Sequence, residues 1–327
     1  MTGRRRVLSG IQPTGPGSQL GNYLGAVRNW AVMQDENDCF FFIADLHSLT
    51  ATPDPAFLRE RTRGALAELL AMGLDPARST VFAQSHVHEH PELGWILGCL
   101  TGFGEASRMT QFKEKGGGSV GFFFYPVLQA ADILMYQADA VPVGEDQRQH
   151  LELTRDLAQR FNGRYGDTFV VPAAYAQAPA ARIKDLQDPT RKMSKSLGGN
   201  GTIWVLDDPK VITKKVKSAV TDTGREVRAG DDKPGITNLL IVLSAATGRT
   251  VEQLENDYEG KGYGDFKADV ADAVVQMLAP VRATYDELVA APDHLDAVLA
   301  AGAAAAREVA AATMADVRER VGLLAPR

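Results

Sequence analysis

The chain has 327 residues, of which 45% are hydrophobic and 23% are charged. This is the usage of an ordinary globular protein, and it excludes a disordered chain, a collagen-like repeat and a coiled-coil rod. The 35 Lys and Arg residues and 41 Asp and Glu residues give a formal net charge of -6, which excludes a histone-like protein that binds nucleic acid through its overall charge.

Short apolar runs alternate with amphipathic segments through the first half of the chain. These runs lie at residues 6–10, 39–45, 80–85, 139–144 and 168–172. Continuous apolar strands of this kind predict a parallel sheet that helices cover on both faces. Strand followed by helix, repeated, indicates a doubly wound α/β fold of the Rossmann-like type.

Two helices between these strands have clear signals. One has Asp54 as its N-cap, Pro55 at its first position and Gly73 as its stop. The other begins just after residue 144 and carries apolar residues four apart on one face. These apolar residues are Leu153, Leu157 and Phe161.

After about residue 200 the strand pattern gives way to helices. These segments cover residues 207–220, 236–247, 250–258, 266–289 and 293–322. We therefore predict a Rossmann-like α/β domain over residues 1–200 and a smaller, all-helical domain over residues 201–327. The last, Ala-rich helix is expected to pack back on the first domain.

The two cysteines, Cys39 and Cys99, lie among apolar residues without metal-ligand spacing, which favours buried thiols in a reducing compartment. The N-terminal arginines are followed by Gln, Pro and Gly before an apolar run of signal-peptide length, and no window has the roughly 18 uninterrupted apolar residues of a membrane span. We expect a cytoplasmic protein that does not contact the membrane.

Two segments have the composition of phosphate-binding loops. A Gly- and Pro-rich turn at residues 9–25 joins the first strand to a helix, where free N–H groups attract anions. Residues 191–196, RKMSKS, place two lysines before a glycine-rich stretch, which suits a mobile loop that binds a polyphosphate. Taken alone, the first segment is more typical of a plain strand-to-helix turn, and the composition of the second favours a solvated basic loop.

Together they resemble the two signatures of the class I aminoacyl-tRNA synthetases. Gln19-Leu20-Gly21-Asn22 stands for the HIGH-type motif, and residues 192–196 spell KMSKS. Further segments are similar to the bacterial tryptophanyl-tRNA synthetases: RMTQFKEK (108–115), AADILMY (130–136), VPVGEDQRQHLELTRDLAQRFN (141–162) and EGKGYGDFKADVA (259–271). The similarity runs from about residue 7 to the C-terminus.

The resemblance implies a two-step ligase. The L-tryptophan carboxylate attacks the α-phosphorus of ATP to give tryptophanyl-adenylate and pyrophosphate, and tRNA(Trp) then takes the acyl group at its 3' end. It implies ATP with Mg2+ as cofactors, no dedicated protein metal site and a homodimer. Lys192, Lys195 and Lys115 are the implied catalytic residues, which neutralise charge on the leaving pyrophosphate.

The resemblance also assigns a nucleotide site. The first turn and the HIGH-type motif hold ATP, the GED segment holds the ribose, one backbone reads the adenine edge, and the KMSKS loop holds the phosphates. These residues are Gln12, Pro13, Thr14, Gly21, Asn22, Gly144, Glu145, Asp146, Ile183, Lys192, Met193, Ser194, Lys195 and Ser196.

Asp132 is the implied specificity residue. Tryptophan has one polar side-chain atom, a donor-only N–H, so a pocket that accepts Trp and rejects Phe requires a buried acceptor. The resemblance places further groups in this pocket: polar residues near the ammonium and carboxylate of the amino acid, and apolar walls around the indole. These are His47, Tyr125, Gln147, Gln129, Val141 and Val143.

Two residues depart from the family pattern. Gln19 stands where His or Thr is usual, and Gln129 stands where Met is common, which predicts a more polar indole wall. Three alternatives stay open: tyrosyl specificity, a synthetase-like regulatory or RNA-binding protein, and an auxiliary, inhibitor-resistant copy of the enzyme. The intact KMSKS motif favours an active enzyme over the second of these.

Two surfaces are candidates for macromolecular partners. Apolar residues that fit either a dimer interface or ordinary core are Ile96, Leu97, Leu100, Phe103 and residues 122–124. Candidate tRNA contacts, each also typical of a solvated helix face, are Lys210, Lys214, Lys215, Lys217, Arg318 and Arg320.

Overall fold

The computed structural model describes residues 3–109, 119–144, 147–175, 182–194 and 199–324. Within these ranges the strands are β1 (Arg6–Ile11), β2 (Asp38–Ile43), β3 (Thr80–Ala83), β4 (Ala140–Val141) and β5 (Ala173–Ala174). They form one parallel sheet in the order β3-β2-β1-β4-β5. From β1 the chain adds β2 and β3 on one side of the sheet, and then adds β4 and β5 on the other side of β1. This change of side is typical of the doubly wound fold that the sequence predicts.

Helices cover both faces of this sheet. In the first half they are α1 (Leu20–Asn22), α2 (Arg28–Glu36), α3 (Asp45–Ser48), α4 (Pro55–Ala71), α5 (Glu89–Gly98), α6 (Phe103–Ala106), α7 (Val120–Met135) and α8 (Arg148–Tyr165). The second half has α9 (Pro209–Lys217), α10 (Pro234–Thr247), α11 (Val251–Asp257), α12 (Tyr263–Val289) and α13 (Pro292–Val321).

Neighbouring side chains of a strand enter different cores. Val7 and Phe41 pack with α2, α4 and the helices of the second half, whereas Leu8 and Phe40 pack with α5, α7 and α8. This alternation is the period of two expected of an extended chain, and it explains why strands buried on both faces read as uninterrupted apolar runs.

Both helix predictions from the first half are confirmed. The Asp54 carboxylate accepts hydrogen bonds from the backbone N–H groups of Ala56 and Phe57, and α4 begins at the next residue, Pro55. The apolar residues of α8 at positions 153, 157 and 161 are all buried against the sheet. A strong cap and a regular apolar stripe are local signals, so the sequence suffices to predict them.

The prediction of a strand at residues 168–172 was wrong, because strand pairing starts at Ala173. The backbone before that point bonds to side chains instead of a strand. Asn162 accepts from the N–H groups of Thr168 and Phe169 and donates to the Phe169 carbonyl, and Gln137 accepts from the N–H of Val170. These side-chain bonds satisfy the polar backbone groups that a strand partner would otherwise satisfy.

The last helix, α13, packs on the edge strand β3. A Cβ atom at Gly302 would lie 1.8 Å from the carbonyl oxygen of Val81, so only glycine permits this approach. By length and composition α13 is apolar enough to cross a membrane. In the protein its apolar stripe, which includes Leu299, Ala306 and Met314, lies in the two cores.

The prediction that both cysteines are buried was wrong for Cys99, which is exposed. Cys39 is buried as predicted, and this burial raises the pKa of its thiol to about 12. Cys99 follows the last turn of α5, on the side of exposed Trp95 and away from buried Leu97. Apolar neighbours in sequence therefore do not define which side of a helix end faces solvent.

Lys215 is the second correction, because this candidate tRNA contact is buried. Its ammonium group donates to the Thr202 carbonyl and to the Asp207 carboxylate, each at 2.7 Å. Lys215 shares the inner face of α9 with Ile212 and Val216, three residues before it and one after it. Lys215 therefore ties α9 to the preceding loop and is not available to a partner.

Candidate active site

A cavity of about 390 Å3 lies at the carboxyl ends of β1 and β2. This edge of a parallel sheet is where ligands bind in open α/β folds, because loops and helix N-termini converge there. The cavity is lined by Gly10, Gln12, Phe42, Ala44, His47, Tyr125, Gln129, Asp132 and Gln147.

Three of these residues come from one face of α7. Tyr125, Gln129 and Asp132 are spaced by four and three positions, so a helix brings their side chains into line. The N-cap of the helix is Ser119, whose hydroxyl accepts from the N–H of Phe122. Most other residues of α7 are apolar and buried, which sets the rotation of the helix against the sheet.

Asp132 lies at the floor of the cavity with no exposed surface. Its Oδ2 accepts from His47 Nε2 at 2.8 Å, and its Oδ1 accepts from His90 Nδ1 at 2.6 Å. The amide nitrogen of Gln84 lies 2.8 Å from Oδ1 and 2.9 Å from Oδ2, so it is shared between the two oxygens. Tyr136 lies behind His90, with its hydroxyl 2.8 Å from His90 Nε2.

These donors keep the carboxylate ionised. Burial by itself opposes ionisation of Asp132, but the charge of His90 and the hydrogen bonds from His47 and His90 outweigh it and lower the pKa of Asp132 to about 2. Burial, together with the negative charge of Asp132, raises the pKa of Tyr136. The floor of the cavity is therefore a fixed negative charge surrounded by groups that donate to it.

Gln84 and His90, which hold this carboxylate, were not predicted from the sequence. Gln84 follows β3 directly, so its position at the carboxyl end of a strand was the available signal. His90 lies in the first turn of α5 between Glu89 and Pro91, and a single histidine in a helix is more often an ordinary structural residue. Its contact with Asp132 joins residues 42 positions apart and is not visible in the sequence.

Polar side chains form the upper wall of the cavity. The Tyr125 hydroxyl lies 2.8 Å from His150 Nε2, and burial raises the pKa of Tyr125 to about 12. Gln129 Nε2 donates to Gln147 Oε1 at 3.3 Å. The ring of His47 meets the Tyr125 ring edge-on at 6.0 Å between centroids. The polar wall predicted from Gln129 is thus part of a hydrogen-bonded pair of amides.

The structure does not bring every predicted tryptophan-binding residue to this cavity. Val141 and Val143 pack with the apolar core behind it and are absent from its lining. Gln12, which we predicted for the nucleotide, lies in the same cavity as Asp132. The apolar part of the lining is supplied by Phe42 and Ala44, at the end of β2 and directly after it.

The Gly- and Pro-rich turn lies beside this cavity and is held by a buried carboxylate. Glu68 of α4 accepts from the N–H of Ser18 at 2.8 Å and from Arg61 at 2.9 Å. Gln19 caps α1, because its Oε1 accepts from the N–H of Gly21. Of the predicted residues in this turn, Pro13 and Gly21 are buried, while Thr14 and Asn22 are partly exposed.

The start of the KMSKS segment contacts the HIGH-type turn. The carbonyl of Met193 accepts from Gln19 Nε2 at 3.0 Å, although the two residues lie 174 positions apart. The Met193 side chain is fully buried, whereas Lys192 is exposed. The carbonyl of Ser194 accepts from the Thr202 hydroxyl. The two predicted phosphate-binding segments are therefore neighbours in the fold.

Other predicted nucleotide residues have different surroundings. Ile183 is buried and its carbonyl accepts from the N–H of Met193 at 3.1 Å. Gly144 is exposed and its carbonyl accepts from the N–H of Gln147. Five predicted residues lie outside the described residues: Lys115, Glu145, Asp146, Lys195 and Ser196.

Comparison with known proteins identifies the family. The model of the class I tRNA synthetases for W and Y matches residues 1–279. A protein of Streptomyces avermitilis described as tryptophan–tRNA ligase 2 is 56% identical, with 98% of each chain covered. The tryptophan–tRNA ligase of Mycobacterium leprae is 52% identical, with 100% of this chain and 98% of that one covered.

Solved structures agree with this match. A structure of the tryptophanyl-tRNA synthetase of Campylobacter jejuni with ADP and tryptophan has a TM-score of 0.87 at 35% identity, and covers 97% of this chain and 100% of its own. The parallel sheet of this chain, covered by helices on both faces, has the Rossmann-like fold of the class I synthetases. The chain belongs to the tryptophan and tyrosine family of class I tRNA synthetases.

Proposed function

We propose that the chain is a tryptophan–tRNA ligase that uses the cavity above Asp132 to bind L-tryptophan. The curated relatives described by that activity are 52% and 56% identical over nearly the whole chain. The L-tryptophan carboxylate attacks the α-phosphorus of ATP and displaces pyrophosphate, which gives tryptophanyl-adenylate. A hydroxyl at the 3' end of tRNA(Trp) then takes the tryptophanyl group, and AMP leaves. The observation that carries the proposal is a buried, ionised carboxylate at the floor of a cavity of amino-acid size.

Asp132 is the acceptor for the indole N–H. Each carboxylate oxygen accepts two hydrogen bonds, and the Gln84 amide shares one donor between both oxygens of Asp132. When Gln84 donates to Oδ1 alone, one lone pair of Oδ2 accepts from tryptophan. Phenylalanine brings no donor, so Oδ2 keeps only its bond from His47 and a share of the Gln84 donor. A site built to bond a substrate N–H discriminates against an analogue that lacks it, because the buried acceptor is then poorly paired.

His47, Tyr125 and Gln147 bind the amino and carboxyl groups of tryptophan. His47 Nε2 donates to Asp132, which leaves Nδ1 as an acceptor, and among the described residues Nδ1 is a buried nitrogen with no hydrogen-bond partner. An ammonium group is a suitable donor for it. Phe42 and Ala44 supply the apolar surface against the indole.

ATP lies between the HIGH-type turn and the KMSKS segment. Gly21 and Asn22 of the turn approach the phosphates, and the backbone near Ile183 reads the adenine. The GED segment, Gly144 with Glu145 and Asp146, holds the ribose. This arrangement is supported by the bond between Gln19 and Met193, which brings the two loops together.

Catalysis of adenylate formation rests on position and charge. Mg2+ enters with ATP as part of the substrate, and Lys192, Lys195 and Lys115 neutralise the pyrophosphate as it leaves. Within the described ranges, no group of three His, Cys, Asp or Glu side chains is arranged to hold a metal ion. The tryptophan carboxylate is the nucleophile, so the enzyme forms no covalent intermediate of its own.

The functional enzyme is a cytoplasmic homodimer. Its interface is the apolar surface of α5, α6 and the start of α7, where Trp95 is 71% exposed, Phe103 is 79% exposed and Val120 is 82% exposed. The Phe103 ring contacts Phe123 at 5.3 Å. Leu97 and Phe122, which we also considered for this role, belong to the core.

The helical half contacts tRNA through one face of α9. Lys210, Lys214 and Lys217 are exposed and line a groove of about 830 Å3 between α9 and α12. Their spacing of four and three residues places them on one side of the helix. Arg318 and Arg320 have acidic partners within the chain, Glu92 and Asp316, and contribute less.

The proposal is tested by amino-acid-dependent exchange between ATP and pyrophosphate. Tryptophan should support exchange while tyrosine and phenylalanine do not, and transfer to tRNA should require tRNA(Trp). Lys195→Ala should remove several kcal/mol of transition-state stabilisation, so the rate of exchange should fall on the order of 100-fold or more. The affinity for tryptophan should change little. A normal exchange rate in Lys195→Ala overturns the catalytic assignment, and exchange with tyrosine alone overturns the specificity.

A further inference from the structure

The start of the KMSKS segment forms one arm of a short hairpin. The N–H of Met193 donates to the carbonyl of Ile183 at 3.1 Å, and the N–H of Asp185 donates to the carbonyl of Arg191 at 3.0 Å. Between these bonds Lys184 and Lys192 form an antiparallel bridge. The hairpin, residues 183–193, thus joins the backbone proposed for adenine to the lysine proposed for phosphate.

One edge of the hairpin is held from the helical half of the chain. Asn238 of α10 is 2% exposed, and its Oδ1 accepts from the N–H of Lys184 at 2.8 Å. Its Nδ2 donates to the carbonyl of the same residue at 3.0 Å. The amide therefore pairs with both backbone groups of Lys184, as a neighbouring strand would.

The opposite arm is held from the HIGH-type turn. Gln19 is also 2% exposed, and its Nε2 donates to the Met193 carbonyl and to Asn22 Oδ1, each at 3.0 Å. Its Oε1 accepts from the N–H of Gly21. Ser, Thr, Asp and Asn are the preferred N-caps, so capping alone does not account for glutamine at this position. The longer side chain reaches Met193 as well.

We propose that Gln19 and Asn238 are positioning residues that clamp the hairpin 183–193 from two sides and fix it for ATP. Neither side chain is assigned a contact with substrate. The clamp sets the distance between the HIGH-type turn, the adenine-reading backbone and Lys192, and it connects the helical half of the chain to the nucleotide site. The inference rests on the proposed nucleotide site.

If Gln19 and Asn238 hold the hairpin for ATP, their variants should use ATP less efficiently and bind tryptophan normally. Gln19→Glu and Asn238→Asp keep side-chain size but replace the amide donor by an oxygen that faces a carbonyl. In tryptophan-dependent exchange between ATP and pyrophosphate, each variant should lower kcat/KM for ATP by about 10- to 100-fold, as the loss of a buried hydrogen bond does. The KM for tryptophan should change by no more than about twofold.

Gln34 provides a matched control for a merely structural role. It is 2% exposed, and its amide also donates to backbone carbonyls, those of Ala31 and Gly73, away from the hairpin. Gln34→Glu should lower the melting temperature as the clamp variants do, yet leave the ATP parameters unchanged. If Gln19→Glu does not fold, Gln19→Met, which keeps the volume without a buried charge, carries the same prediction.

The outcomes separate the clamp from the nucleotide site itself. A combined Gln19→Glu and Asn238→Asp variant should lose less than the product of the single effects, because both residues hold one hairpin. If both single variants behave like Gln34→Glu, the clamp is overturned. Lys192→Ala serves as the reference. A normal exchange rate in Lys192→Ala means that the proposed nucleotide site is wrong. An impaired rate in Lys192→Ala together with normal rates in both clamp variants rejects only the clamp.

Discussion

Asp132 and His90 are joined by a 2.6 Å hydrogen bond between Oδ1 and Nδ1, and neither side chain has exposed surface. His90 is absent from the lining of the cavity, whereas Asp132 is part of it. In the proposed tryptophan site, His90 therefore acts only through the position and charge of Asp132. The pair has consequences for stability and for binding, and these can be separated.

Replacing His90 by phenylalanine should weaken both properties. The ring fits among Phe42, Phe82 and Tyr136, but the donor to Asp132 and the partner of the Tyr136 hydroxyl are lost. We expect the free energy of unfolding to fall by about 2 to 4 kcal/mol, since a buried charge loses a hydrogen bond. The KM for tryptophan should rise while the KM for ATP does not.

Chemical denaturation and exchange kinetics measure these two effects. His86→Phe is the control, because His86 is exposed and lies in the short turn before α5. It should leave both quantities near those of the wild type. An equal rise in both KM values for His90→Phe would contradict a role through Asp132.

The low pKa of Asp132 predicts a specific loss of stability in acid. Its folded-state pKa of about 2 lies below its ordinary value of 3.8, so the unfolded chain binds the proton more readily. The resulting stabilisation is complete above about pH 4 to 5 and is lost as pH falls through 4 towards 2. A shift of this size corresponds to about 2 kcal/mol.

Asp132→Asn isolates this contribution, because other carboxylates titrate in both proteins. The difference in unfolding free energy between wild type and Asp132→Asn should shrink by about 2 kcal/mol between pH 5 and pH 2. Urea unfolding at a series of pH values measures it. Parallel pH curves for the two proteins would contradict a folded-state pKa of Asp132 below its unfolded value.

Gly302 should not tolerate even alanine. A Cβ there meets the Val81 carbonyl at 1.8 Å, and backbone cannot move aside as a side chain can. We expect Gly302→Ala to destabilise the protein by about 2 to 3 kcal/mol or more, because α13 must shift away from β3. Gly163→Ala in α8 is the control: nothing lies within 4 Å of its Cβ position, and it should stabilise by about 0.5 to 1 kcal/mol.

Thermal unfolding of the two alanine variants compares them directly. Similar melting temperatures for both would contradict the close approach of α13 to the edge strand.

The outer face of α9 should matter for tRNA and not for adenylate formation. Lys214→Glu with Lys217→Glu reverses two exposed charges that line the groove against α12. We expect the KM for tRNA to rise about 10-fold or more, and the salt dependence of that KM to weaken, because fewer phosphates are neutralised. Exchange between ATP and pyrophosphate should stay unchanged.

Lys261→Glu is the control for a lysine-to-glutamate change made outside the groove. Lys261 is also exposed, but it lies against the Tyr258 ring. Equal loss of aminoacylation in this control would indicate a general charge effect and reject α9 as the contact surface.

Much of the molecule was predictable from the sequence by itself. Continuous apolar runs, the Asp54 cap and the apolar stripe on α8 are local patterns. They predicted the parallel sheet, apart from the strand at residues 168–172, and the two helices α4 and α8. The resemblance in the two loops and in residues 130–136 predicted the family. Five of the side chains predicted for tryptophan line one cavity: His47, Tyr125, Gln129, Asp132 and Gln147.

Tertiary structure alone decided how the site is held together. Gln84, directly after β3, and His90, on α5, both reach Asp132 on α7, and Gln19 meets Met193 across 174 positions. The predictions of Lys215 as a tRNA contact and of a strand at residues 168–172 were wrong for one reason: each polar group has a partner that the sequence does not reveal. A polar side chain in a folded protein takes the partner that packing brings within about 3 Å, and sequence spacing does not contain that distance.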